Sequence, residues 1–79
     1  MSDLVVLIDN LEKWARTYRS IGSVGKAEML EDAAELLTDG RKNAGTASLL
    51  YVCATVSEEQ PEQRNAAAFM REAANHLTG

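Results

Sequence analysis

The chain has one cysteine, one proline, one histidine and four aromatic residues (Trp, Tyr and Phe together) in 79 positions. A single cysteine, Cys53, excludes a disulfide within the chain, and one Cys with one His is too few ligands for a structural zinc site. Cys53 lies in an apolar stretch, where it reads as a small buried hydrophobe. A lone cysteine also suits a reducing cytoplasm. No apolar run approaches the roughly 20 residues needed to span a bilayer. No signal peptide is expected, because Met1-Ser2-Asp3 is acidic and Leu4 to Ile8 is too short an apolar core. Basic residues are also scarce, with 8 Lys and Arg against 12 Asp and Glu and a net charge of −4. A general nucleic-acid binder would show a basic stripe instead. The acidic excess sits in residues 1–40, which hold eight acidic and four basic side chains, whereas residues 41–79 hold four of each. That is too little acid for a DNA mimic.

A chain of this length forms one domain, residues 1–79. It buries only about 60–70% of its unfolded surface, and a lone core of this size supplies roughly 3–5 kcal/mol. With disulfides and zinc excluded, self-association is the remaining route to extra stability.

What the chain does have is a repeat. Ala27-Glu28-Met29-Leu30-Glu31-Asp32-Ala33-Ala34-Glu35-Leu36-Leu37-Thr38 aligns without a gap, forty residues on, with Ala67-Ala68-Phe69-Met70-Arg71-Glu72-Ala73-Ala74-Asn75-His76-Leu77-Thr78. Periods of this length mark repeated helical hairpins. Ala-rich helices also resemble one another by coincidence, so the sequence leaves duplication open.

Apolar spacing predicts four helices. In the first, Leu4, Leu7, Leu11, Trp14 and Tyr18 recur at spacings of three and four, and Ile8 and Ala15 widen the stripe to a core-packing face. Ser2 is its expected cap, with Asp3 in the first turn. Val5 and Val6 point away from the stripe and suggest a second interface. Ser23 is expected to cap the second helix, with Met29, Leu30, Ala33, Leu36 and Leu37 as its core stripe and Asp39-Gly40 as its end. The third segment, Asn43 to Ser57, has no charged residue. Leu49, Val52, Cys53 and Val56 make one face of it, and Ala47, Leu50, Tyr51 and Ala54 another. A helix apolar on both sides is usually buried on both sides, one within the monomer and one against a partner copy. Val52, Val56 and the Thr residues are compatible with a strand as well; Ala, Leu and Ser content and the lack of a strand partner favour the helix. Pro61 fits the first position of the fourth helix, whose core stripe is Ala66, Phe69, Met70, Ala73 and Leu77, with His76 at its edge. Short connections at about 20–23, 39–43 and 57–60 imply antiparallel neighbours. The expected architecture is all-α, two αα-hairpins (1–40 and 41–79) in a small bundle completed by oligomerisation.

Four constellations bear on chemistry. Ile21-Gly22-Ser23-Val24-Gly25-Lys26 resembles the Gly-x-x-Gly loop of KH domains, which clamps a nucleic-acid backbone. Those domains need a three-stranded sheet, and an interhelical turn explains the glycines. The row Glu28, Glu31, Asp32 and Glu35 resembles the acidic helices of all-α nucleotide pyrophosphohydrolases. Their Mg²⁺ chemistry needs carboxylates from several helices, and the second hairpin contributes only Glu72, so a solvated acidic face is the stronger reading. Cys53 and His76 lack an orienting carboxylate for nucleophilic catalysis. Trp14 and Tyr18 read as core, whereas Tyr51, on the second apolar face of helix three, is the better interface residue.

Asp9-Asn10-Leu11-Glu12-Lys13-Trp14-Ala15-Arg16, followed by Gly25-Lys26-Ala27-Glu28-Met29-Leu30-Glu31-Asp32-Ala33-Ala34-Glu35-Leu36-Leu37, resembles short accessory proteins of tailed phages and prophages. These carry a Leu-rich helix, a Gly turn and an Ala-x-Leu/Met-x-x-Ala-Ala-x-x-Leu helix, and the resemblance covers roughly the first half of the chain. It implies action by binding: inhibiting or redirecting host enzymes, regulators or immune systems, or sequestering small nucleotide signals. No family active site carries over. The expectation is therefore a non-enzymatic, cytoplasmic interaction protein without cofactor or metal, which binds a host or defence protein. Self-association is expected through Ala47, Leu50, Tyr51 and Ala54 with Val5 and Val6. Partner binding is expected through Glu28, Glu31, Asp32 and Glu35, or through Lys13, Arg16 and Arg19. The alternative is an oligomer that binds a nucleotide signal, with Arg16, Arg19, Arg41, Lys42 and Tyr51 gathered at subunit boundaries.

Overall fold

Four helices and no strand make up the computed structural model, which describes residues 3–78. α1 spans Asp3–Ser20, α2 Val24–Thr38, α3 Ala44–Ser57 and α4 Arg64–Thr78. The chain is therefore an all-α protein, and the strand alternative for the third segment does not apply. The expected cap Ser2 lies outside the described residues.

Each helix end has an identifiable cause. Gly22 takes a φ of +86° and Gly40 a φ of +69°, the left-handed region that glycine adopts without Cβ strain. At the end of α1, Ser23 N–H donates to the Tyr18 carbonyl at 2.8 Å and Gly22 N–H to Arg19 at 3.1 Å. At the end of α2 the same pair of bonds recurs, from Arg41 to Leu36 at 2.9 Å and from Gly40 to Leu37 at 3.2 Å. Both are Schellman closures, which satisfy the last helical carbonyls. Ser23 does stand at the start of α2, but its hydroxyl makes no capping bond. It works through its backbone instead, closing α1 with its N–H and accepting from Ala27 N–H with its carbonyl. Asn43 is a true side-chain cap: its Oδ1 accepts from Thr46 N–H at 3.0 Å and so satisfies a free donor of α3.

Pro61 does not open α4 directly. Pro61–Gln63 forms a single 3₁₀ turn and α4 starts at Arg64. Gln60 is extended at φ −108°, ψ 115°, as steric conflict with the following proline ring demands. The tighter turn closes with Gln63 N–H donating to the Gln60 carbonyl at 2.9 Å.

α1 packs chiefly on α2 and α3 on α4, which gives two hairpins. Cross-links run in descending order between α3 and α4, from Glu58 to Arg71, Tyr51 to Asn75 and Asn43 to Leu77, so these two helices are antiparallel, and the short turn at 21–23 returns α2 along α1 in the same way. The hairpins meet through α1 with α4, α2 with α3, and α2 with α4. Contact between α2 and α4 is the short diagonal of a rhombic bundle. Small side chains permit it: the core includes Ala27, Ala33 and Ala34 of α2 and Ala66, Ala67, Ala73 and Ala74 of α4. The forty-residue register holds in three dimensions, because α2 and α4 both run fifteen residues and Ala27, Leu30, Ala33, Ala34 and Leu37 are buried like Ala67, Met70, Ala73, Ala74 and Leu77. Leu7, Leu11, Ala15 and Tyr18 complete the core from α1, while Leu4, Ile8, Trp14, Met29, Leu36 and Phe69 pack around it half-buried. His76, expected at the core edge, is exposed.

Candidate interaction surface

The third helix is inserted opposite to expectation. Its buried face carries Ala47, Leu50 and Ala54, each 0% exposed. These three belong to the monomer's own core and offer nothing to a partner copy. The exposed face holds Leu49 at 62%, Val52 at 65% and Val56 at 51%. Residue size explains the choice. α4 presents mostly alanines to its neighbours, so the small-residue face of α3 can approach it closely and achieve interior packing density. The bulky face then turns outward. Tyr51 is half-buried at the edge between the two faces, where its hydroxyl donates to Asn75 Oδ1 on α4. Val5 and Val6 are exposed on α1, at 50% and 44%, but α1 and α3 occupy opposite corners of the bundle. The two apolar patches are separate.

The charged residues expected to meet a partner lie on the first hairpin. Lys13, Arg16, Arg19, Glu28, Glu31, Asp32 and Glu35 are all exposed. Arg19 reaches across to α2, with Nη2 2.5 Å from Glu31 Oε1 and Nε 3.3 Å from Oε2. Such an exposed pair contributes little to stability, and it sets one residue of the basic row of α1 against one residue of the acidic row of α2. Beside it, Glu12, Glu31, Glu35 and Asp39 border a shallow trough of about 270 Å³ floored by Ala34. Two of its carboxylates, Glu12 and Asp39, were not in the expected acidic row; their shared site comes from the antiparallel pairing of α1 with α2. Among the described residues, no three His, Cys, Asp or Glu side chains converge in a way that could hold a metal ion.

The residues of the nucleotide alternative are dispersed. Arg19 is held by Glu31, Lys42 Nζ donates to the His76 carbonyl at 2.6 Å, and Tyr51 is engaged by Asn75. Arg41 borders Asp32 and Glu35 in a depression of about 220 Å³. The Gly-x-x-Gly segment is likewise accounted for: Gly22 closes α1 and Gly25 lies in the first turn of α2.

A polar cluster that sequence pattern did not reveal joins the hairpins at one end. Tyr18 is buried, its hydroxyl donates to Gln63 Oε1 at 3.0 Å, and Lys26 Nζ donates to the same oxygen at 3.3 Å. The Lys26 ammonium also lies 5.2 Å from the centre of the Tyr18 ring, within cation–π range. Burial pushes the Tyr18 phenol up from its usual pKa; the nearby Ser57 hydroxyl opposes this and Cys53 adds to it. Ser57 Oγ, fully buried at the end of α3, lies close to the phenol. At the outer surface, Glu58 Oε1 accepts from Arg71 Nε at 2.6 Å, and that bond holds the Glu58 carboxyl below its usual pKa.

Comparison with protein-family models, curated proteins and solved structures finds no match to this chain. No helix among the described residues is long and apolar enough to cross a membrane.

Proposed function

We propose that this chain is a non-enzymatic interaction protein that binds and inhibits or modulates a host or defence-system protein in the bacterial cytoplasm. The observation that carries the reading is α3, a helix without a charged residue that leaves Leu49, Val52 and Val56 in water. Three large apolar side chains on one face of a small protein make a patch of the kind that marks a protein-binding surface. The likeness of Asp9–Arg16 and Gly25–Leu37 to phage accessory proteins supports an inhibitory role. On the first hairpin, the trough of Glu12, Glu31, Glu35 and Asp39 suits a basic surface on the target.

Tagged protein passed through a bacterial lysate and cross-linked tests this reading. Wild type is expected to retain one discrete protein in stoichiometric amount, and the double charge reversal Glu31→Lys with Glu35→Lys should release it while circular dichroism shows the fold intact. Retention that is unchanged by charge reversal and also by Val52→Lys would refute the proposal.

A further inference from the structure

We propose that the depression where α2 ends and α3 begins binds a small zwitterion of the α-amino acid class. The half-buried Leu36 lines it together with Asp32, Glu35, Arg41, Asn43 and Thr46. Its volume of about 220 Å³ is below the roughly 300 Å³ at which sites for larger ligands begin, so a single amino acid suits it and a nucleotide does not. Backbone bonds hold its frame. Asp32 and Glu35 are three residues apart on α2 and share a face. Arg41 N–H donates to the Leu36 carbonyl at 2.9 Å. Asn43 is held twice, its N–H donating to the Leu77 carbonyl at 3.0 Å and its Oδ1 accepting from Thr46 N–H.

Charges of both signs border this depression and leave one another unpaired. Elsewhere on the surface opposite charges close together, as Arg19 does on Glu31 and Arg71 on Glu58. Here Asp32, Glu35 and Arg41 line one space, yet among the described residues their side chains form no ion pair or hydrogen bond. The Asn43 side-chain amide N–H groups and the Thr46 hydroxyl are likewise unengaged. Of the neighbouring charges, Lys42 is spent on the His76 carbonyl, and Asp39 lies with Glu35 along the adjoining trough. Acceptors therefore come from α2, and donors from the segment that leads into α3. A molecule with an ammonium and a carboxylate a few bonds apart satisfies both sets at once. Its ammonium donates to Asp32 and Glu35, and its carboxylate accepts from the Arg41 guanidinium, the Asn43 amide and the Thr46 hydroxyl. A simple cation leaves Arg41 unanswered, and a simple anion meets two carboxylates. Asp32 and Glu35 gain no third acidic, His or Cys side chain that would suit a metal ion.

Titration of the ¹⁵N-labelled full chain with glycine or L-serine, followed by amide chemical shifts at constant ionic strength, tests the site. Methylammonium and acetate, the two halves of the ligand, are titrated alongside. The depression is open to solvent, so the expected result is saturable binding in the roughly millimolar range, with shifts centred on Asp32, Glu35, Arg41, Asn43 and Thr46. Each half-ligand should bind at least about 10-fold more weakly than the amino acid. Arg41→Gln and Asp32→Asn, both at exposed positions, should keep the fold and each weaken amino acid binding roughly 3- to 10-fold. Arg41→Gln should leave the response to methylammonium unchanged, and Asp32→Asn the response to acetate. No saturable shift with either amino acid overturns the proposal. So does a response that methylammonium or acetate reproduces at equal concentration, or amino acid binding that neither substitution weakens. The purified chain and small probes are measured without any protein target, so failure here is distinct from failure to capture one from the lysate.

Discussion

Replacing glycine by alanine at three positions should change stability with opposite signs, for a reason that involves no packing. A Cβ built at Gly22, Gly25 or Gly40 meets nothing within 4 Å, so steric contact drops out of the comparison. Backbone conformation decides the outcome. Gly25 lies in the first turn of α2 with a helical backbone, and alanine there reduces the freedom of the unfolded chain at no cost to the folded one. The gain is about 0.5–1 kcal/mol. Gly22 and Gly40 sit at φ +86° and +69°, where a side chain costs roughly 1–2 kcal/mol. The same unfolded-state gain offsets part of this, which leaves a net loss of about 1 kcal/mol at each. In a domain of this size one kcal/mol moves the melting temperature by about 4–8 °C. Thermal unfolding followed by far-ultraviolet circular dichroism should therefore place Gly25→Ala several degrees above wild type and Gly22→Ala and Gly40→Ala several degrees below it. A Gly25→Ala protein that melts lower, or a Gly40→Ala protein that melts at or above wild type, would refute the argument.

The end cluster and the surface ion pair beside it supply three further tests. Ser57→Ala removes the buried hydroxyl that lowers the Tyr18 pKa, so it should raise the folded-state phenol pKa further and steepen the loss of stability above pH 10 in pH-dependent unfolding; an unchanged alkaline limb would show that the hydroxyl does not act on the phenol. Tyr18→Phe removes the bond to Gln63 and should cost about 0.5–1.5 kcal/mol at neutral pH. Because the folded-state phenol pKa is raised above its ordinary 10.0, the unfolded chain ionises first. Wild-type stability is full below pH 10 and falls above it, and Tyr18→Phe should lose less across that range in pH-dependent unfolding. For Glu58, the folded-state pKa lies below the ordinary 4.5, so its contribution is present above that pH and is lost as pH falls through the depressed value. The difference between wild type and Glu58→Gln should accordingly shrink on acidification, whereas a difference constant with pH would contradict the ion pair.

Much of the fold was legible because the buried positions are spaced as helices require. The α1 stripe, the Asp39-Gly40 stop and the register of Ala27 to Thr38 with Ala67 to Thr78 all follow from residue spacing and from glycine's access to positive φ. The orientation of α3 was not legible from polarity, since both faces are apolar and nothing charged breaks the tie. Its resolution lay in size: the face with the smaller side chains, Ala47, Leu50, Ala54 and Ser57, is the one that is buried. The end cluster was hidden for another reason: Lys26, Ser57 and Gln63 are ordinary surface residue types whose meeting depends on how the hairpins dock. The acidic row was visible along α2, whereas the trough needed the pairing of α1 with α2 to bring in Glu12.

Hairpin-by-hairpin packing bears on how quickly the chain finds its structure. Each helix has its main neighbour next to it in sequence, so most contacts close short loops, and chains rich in such local contacts fold on the microsecond-to-millisecond scale. The slower task is bringing the two hairpins together along the alanine diagonal of α2 and α4. Leu30 and Leu37 of α2 and Met70 and Leu77 of α4 are the large buried side chains among those alanines. Substitutions at these four larger residues should therefore slow folding, while changes on the exposed faces alter only what the finished bundle can hold.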